Sequence, residues 1–210
     1  VSPFRAFVVV TLASVLSAVP RPTRAAEERT FGVAVHVAEP EGAPVRDDAW
    51  IGAQLAEAER LFGPVGVHFR WVVRTIGKPG KGRVDVETRE DRDAFADGLE
   101  PRLVNVFVVR SLMDVDEPGR VRRGVTWTQR KDRRRYIVLS SIAMPSVLAH
   151  ELGHFFGNGH TTVVDNLMSY ERGGGVVFLS AEQKSRIAEV ATRFATTGFL
   201  DVLGPPRAFH

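Results

Sequence analysis

An α+β domain, with helices packed on a twisted mixed sheet, is the fold class that this 210-residue sequence predicts. Three observations lead there. Short apolar runs rich in β-branched residues recur along the first two thirds of the chain, as buried or half-buried strands do. Three longer segments repeat their apolar residues at helical spacing. The segments come in the order strand, helix, several strands, helix, irregular segment, helix, which is not a strict alternation. Composition supports a folded core, with 44% hydrophobic and 25% charged residues, as in ordinary globular chains.

Residues 1–26 stand apart. Arg5 is a short positive region, residues 6–19 are apolar with only Ser and Thr as polar members, and Pro20 and Pro22 break the run. Thr23, Arg24, Ala25 and Ala26 then offer small residues for cleavage. That is the layout of a signal peptide, and the apolar run of 14 residues is shorter than the ~20 a membrane-spanning helix needs. The expectation is an exported protein, secreted or periplasmic, whose mature residues 27–210 form one domain without a transmembrane segment and with no long propeptide.

Residues 30–37 read as the first strand and 39–44 as a turn-rich link. Asp47 and Asp48 can cap a helix carrying Trp50, Ile51, Leu55, Ala58, Leu61 and Phe62 on its apolar side, and Gly63-Pro64 ends it. Residues 67–75 alternate as a second strand, 77–82 form a flexible basic loop, and 91–99 a short helix. Residues 103–109 are a buried strand, and 124–128 and 136–139 are two more. Pro145 stands where a helix begins, with residues 147–156 as its body. Ser180, with Glu182 and Gln183 in the first turn, opens the last helix, which runs to about Thr196.

The formal net charge is +3. Arg120, Arg122, Arg123, Arg130, Lys131, Arg133, Arg134 and Arg135 fall within sixteen residues, opposed only by Asp132. Such a block either binds an anionic polymer or surface or is a solvated loop between strands. No aromatic interleaving or groove-reading motif accompanies it, so no specific nucleic-acid partner is expected. There is no cysteine, which excludes disulfides and any thiolate ligand or nucleophile.

The chemistry lies in His150-Glu151-Leu152-Gly153-His154-Phe155-Phe156-Gly157-Asn158-Gly159-His160. Positions i and i+4 share a helix face, so His150 and His154 can aim at one point. Gly157 allows a sharp turn that swings His160 back as a third ligand. Three imidazoles and an open fourth position are the arrangement of catalytic zinc, with Glu151 placed as general base. His36, His68 and His210 are expected to be satisfied or solvated rather than ligands.

This stretch, with Asn166-Leu167-Met168-Ser169-Tyr170 after it, resembles the HExxHxxGxxH and Met-turn signature of the metzincin metallopeptidases. The resemblance implies one catalytic Zn2+ on His150, His154 and His160, Met168 as an apolar floor beneath it, and a peptide or protein substrate. It also implies that Tyr170 either stabilises the oxyanion or walls the pocket. In fold it implies a backing helix and an active-site helix against the sheet, with a small C-terminal subdomain carrying one helix. The antiparallel edge strand, here Gly124, Val125, Thr126, Trp127 and Thr128, would bind the substrate backbone, and the glycine-rich loop 171–175 would border the specificity pocket. The turn at 165–170 is similar to that of pappalysin-like enzymes and residues 150–157 to matrixin-like ones. Only five residues separate His160 from Asn166, and the absence of cysteine excludes cysteine-switch latency. The expected activity is that of a secreted zinc endopeptidase. The alternative is a non-proteolytic zinc-binding domain that holds a protein or anionic-polymer partner, for which Glu151 would have no use. Nothing in the sequence sets an oligomeric state.

Overall fold

The computed structural model describes residues 27–204, so the expected signal peptide and His210 lie outside the described residues. Strand β1 (Arg29–Ala38) is followed by helix α1 (Asp48–Phe62). Asp47 caps that helix by accepting the Trp50 amide at 2.9 Å. Strand β2 (Val67–Gly77) leads to a single turn, α2 (Pro79–Gly82), then to β3 (Asp85–Val86) and α3 (Arg89–Asp93). Next come β4 (Val104–Val109), β5 (Ser111–Leu112), β6 (Gly124–Thr128) and β7 (Arg135–Ser140). Helices α4 (Ser146–Phe155) and α5 (Ala181–Thr196) and strand β8 (Val202–Leu203) complete the domain.

The main sheet has the order β2-β1-β4-β7-β6, with β8 pairing antiparallel to the start of β1. The first four strands are parallel, and β6 joins β7 antiparallel at the edge. Centrally placed parallel strands are covered on both faces, which is why β4 is buried along its whole length. Side chains alternate between faces. Phe31, Val33, Val35 and Val37 of β1, Val104, Val106 and Val108 of β4, and Ile137 and Leu139 of β7 pack in one cluster with α1, α4 and α5. Phe107, Val109, Tyr136 and Val138 point the other way into a smaller cluster with Val86, Phe95 and Leu112.

Two local expectations are corrected. The basic loop at 77–82 is not featureless: Gly80, at φ 58, lets the turn lie against Phe95, whose ring would stand 2.7 Å from an added Cβ. The short helix expected at 91–99 begins earlier, because Thr88 and Asp91 form a capping box, and it tightens to a 3₁₀ turn at Ala94–Gly98. Among the described residues no helix is long and apolar enough to cross a membrane.

Candidate metal centre

Helix α4 places His150 and His154 one turn apart, with their Nε2 atoms 3.2 Å from each other. The helix ends in a Schellman motif: the Gly157 amide donates to His154 O and the Asn158 amide to Gly153 O, each at 2.9 Å. Gly157 holds φ 88 there, a conformation glycine adopts without steric cost. An added Cβ would find ordinary room, so the backbone angle, not space, calls for glycine. The chain turns back at once, and His160 Nε2 arrives 3.0 Å from His154 Nε2.

Hydrogen bonds fix the tautomers. His150 Nδ1 lies 2.7 Å from Leu167 O and His154 Nδ1 lies 2.8 Å from Asn158 O. A carbonyl only accepts, so both Nδ1 atoms carry protons and both Nε2 atoms present bare lone pairs to each other. Burial pushes the His150 pKa down to about 4, and burial also lowers His154 and His160, the latter with Arg122 adding to the effect. Neutral imidazoles with converging lone pairs want a cation. Nitrogens ~2.0–2.1 Å from a tetrahedral zinc stand roughly 3.3 Å apart, close to the two separations found here. The donor set therefore fits zinc, with room for a fourth ligand. These three histidines are a potential metal-holding group among the described residues.

Met168, expected as the apolar floor, is fully buried against α4. Its sulfur would lie only 2.3 Å from a Cβ on Gly153, so glycine in the middle of α4 is what admits it. Sequence reasoning passed over Gly153, although a glycine inside a helical pattern costs ~1 kcal/mol against alanine and so signals a packing reason. The pairing of Asn166 with Gln183 was also missed. Their amides pair reciprocally at 2.8 and 3.0 Å, and Asn166 Oδ1 accepts the Met168 amide at 2.9 Å. Gln183 also completes the capping box that Ser180 opens at the start of α5, so this turn is tied to that helix. Asp165, at φ 59, accepts the Gly173 and Gly175 amides at 2.8 and 3.0 Å and so holds the glycine-rich loop in place.

Glu151 lies against the sheet edge. It is buried, and burial pushes its carboxyl up to about 7. The Thr126 hydroxyl lies 3.0 Å from Glu151 Oε2 and 2.6 Å from its carbonyl oxygen. At Gly124 a Cβ would come 3.0 Å from Glu151 Cγ, so this glycine makes space for the carboxylate. A cleft of about 460 Å³ is lined by Gly124, Val125, Thr126, Trp127, Glu151, His154, His160 and Tyr170 among others. Strand β6 is its upper rim, and among the described residues no strand pairs with its outer side. Trp127 donates from Nε1 to Asp93 Oδ1 at 2.7 Å and packs on the smaller core cluster, so its side chain serves the scaffold as well as the rim. Tyr170 is 64% exposed, with its hydroxyl 2.8 Å from His160 Nε2. His36 and His68 lie elsewhere. His36 bonds Thr75 and Asn105 at 2.6 and 3.2 Å, and His68 bonds Glu59 at 2.6 Å.

No protein-family model and no curated protein matches the sequence. Solved structures do share its fold. Metalloproteinase-II from Bacteroides fragilis aligns with a TM-score of 0.55 at 16% identity, over 80% of this chain and 55% of that one. Mature mirolysin from Tannerella forsythia, solved with a cleaved peptide, aligns with a TM-score of 0.58 at 12% identity, over 83% of this chain and 99% of that one. Archaemetzincin from Methanopyrus kandleri aligns with a TM-score of 0.54 at 14% identity, over 78% and 97%. The chain thus spans about half of the first protein and nearly all of the other two, and its fold is that of metzincin-like catalytic domains.

Proposed function

We propose that this protein is an exported zinc endopeptidase. The observation that carries the reading is the convergence of three imidazole nitrogens beside a buried carboxylate, under a sheet edge that is unpaired among the described residues. When bound by His150, His154 and His160, zinc would polarise the scissile carbonyl and acidify water. The protein's own groups do the rest. A peptide in extended form adds to the outer side of β6, where main-chain hydrogen bonds hold it. Glu151 takes the proton from the attacking water and passes it to the leaving amine. Thr126 fixes the Glu151 carboxylate against the rim. Tyr170, whose hydroxyl stands at the level of the ligand nitrogens, donates to the charge developing on the carbonyl oxygen. Met168 excludes water from below. A buried base next to the ligands has no role in a domain that merely binds, which counts against the non-proteolytic alternative. Mirolysin, of the same fold, was solved with a cleaved peptide, which supports a peptide substrate here. Export rests on the pattern of residues 1–26.

The test is a diverse peptide mixture incubated with the zinc-loaded protein, its products read by mass spectrometry. Cleavage is expected, lost with a chelator and restored by added zinc. A zinc-loaded protein that leaves every peptide intact would overturn the reading.

A further inference from the structure

The turn that carries Met168 and Tyr170 closes around one side chain, that of Arg172. The arginine folds back on the residues before it, and its Nη1 stands 3.1 Å from Asn166 O, 2.6 Å from Ser169 O and 3.1 Å from Glu171 O. That nitrogen carries two hydrogens, which the three carbonyls share.

Two of the carbonyls have a second donor. Asn166 O also accepts the Ser169 amide, and Glu171 O the Asp165 amide, each at 3.0 Å. Among the described residues Ser169 O has no donor but Arg172. Ser169 is buried, and a buried carbonyl left unpaired is costly. The contact with Arg172 is therefore the one that this peptide group depends on.

Ser169 O belongs to the peptide bond that enters Tyr170. A peptide unit turns as a plane, so the direction of this carbonyl sets where the Tyr170 side chain departs from the backbone. Tyr170 needs that help, because it is largely exposed. Its ring meets those of His160 and His150, at 4.7 and 5.7 Å between centroids, and its hydroxyl lies 2.8 Å from His160 Nε2. The residues just before it are held by other means. The Leu167 amide donates to Phe178 O at 2.7 Å, and Met168 O accepts the Thr161 amide at 3.1 Å. Leu167 O, which bonds His150, thus belongs to a residue anchored without Arg172, so losing the arginine disturbs Tyr170 and spares the histidines.

We infer that Arg172 is a positioning residue for the reaction: by holding Ser169 O it fixes the peptide plane before Tyr170 and keeps the Tyr170 hydroxyl beside His160 Nε2. The inference rests on the peptidase reading, in which Tyr170 donates to the charge developing on the carbonyl oxygen.

On a peptide that the protein cuts, Arg172→Gln is expected to lower kcat about tenfold, less than the 10²–10³ that an oxyanion donor is worth when removed outright. KM and zinc affinity, the latter by competitive titration, are expected to stay close to those of the parent. In a Tyr170→Phe background the same substitution is expected to have no further effect, since two residues that act through one group are not additive. A merely structural role would slow the Tyr170→Phe protein as well. Arg172→Lys is expected to recover part of the rate, because an ammonium presents three donors at one point to the three carbonyls.

The placement is also read without chemistry. The chain has two tyrosines, and the other, Tyr136, is buried with its hydroxyl donating to Arg92 O at 2.6 Å. Protein labelled with fluorotyrosine gives a fluorine resonance for each, assigned with Tyr170→Phe. Zinc loading is expected to shift the Tyr170 resonance and leave that of Tyr136, which reports that the fold is kept. In Arg172→Gln the Tyr170 resonance is expected at the position of solvated fluorotyrosine and insensitive to zinc, with part of the response regained in Arg172→Lys. A Tyr170 resonance unmoved by Arg172→Gln, or a loss of rate undiminished in the Tyr170→Phe background, would overturn the inference and leave the peptidase reading standing. If nothing is cut, the peptidase reading fails, and the fluorine series alone decides whether Arg172 places Tyr170.

Discussion

Glu151→Ala is expected to lower the rate of peptide cleavage by about 10²–10⁴-fold while the variant still takes up one zinc per chain. The separation of the two effects is the point. Glu151 adjoins His150 in sequence but does not belong to the three-nitrogen cluster, and its carboxylate is held on the rim side by Thr126. Removing it takes away a buried acidic group, not a ligand. The fold should not suffer either, because an ionisable group set in a protein interior is costly to keep charged. Metal analysis, a thermal melt and kcat/KM on one peptide check all three statements. A variant that loses its zinc along with its activity would show that Glu151 holds the site together instead of acting as base.

Gly153→Ala is expected to destabilise the protein by about 1–3 kcal/mol, the usual cost of forcing an extra methyl into a packed core. The sign is what makes this informative. At an ordinary helix position the same change stabilises, since alanine is better than glycine by ~1 kcal/mol. Here the new methyl would meet Met168 Sδ at 2.3 Å. Either the buried Met168 side chain repacks or α4 and the turn carrying it move apart, and Leu167 O, which bonds His150, moves with that turn. Zinc affinity should therefore fall along with stability. Denaturant unfolding of the zinc-free protein and a competitive zinc titration measure the two separately. A higher melting temperature in Gly153→Ala would contradict the packing described between α4 and the turn below it.

Much of the domain was legible because its signals are local. The span of α1 could be read from Asp47, the apolar residues on one face and Gly63, since capping and chain reversal are decided within a few residues. Strand β4 stood out because a central parallel strand is apolar on both faces, and β1 by its partial alternation. The convergence of the three histidines was legible for the same reason, being set by one helix turn and one glycine. The strand order was not legible. That β4 lies between β1 and β7 depends on pairings between residues far apart in the chain. Strands β3, β5 and β8 have two residues each, too few to show any period. The same limit hid the links that organise the site from outside the motif. The Asn166–Gln183 pair joins a turn to a helix cap, and Arg92 comes to Trp127 from a helix well before it in sequence. Such contacts exist only after the sheet has formed. Gly153 alone carried a readable hint, as a glycine tolerated mid-helix.

The central claim is that His150, His154 and His160 hold one zinc ion and leave it open. X-ray absorption at the zinc edge, on protein loaded with one equivalent, tests this most directly. The structure predicts three imidazole nitrogens at about 2.0–2.1 Å and a fourth position filled from solvent, with the metal lost in His154→Ala. A zinc ion closed by four protein ligands, a six-coordinate shell of oxygens, or stoichiometric zinc retained in His154→Ala would contradict it.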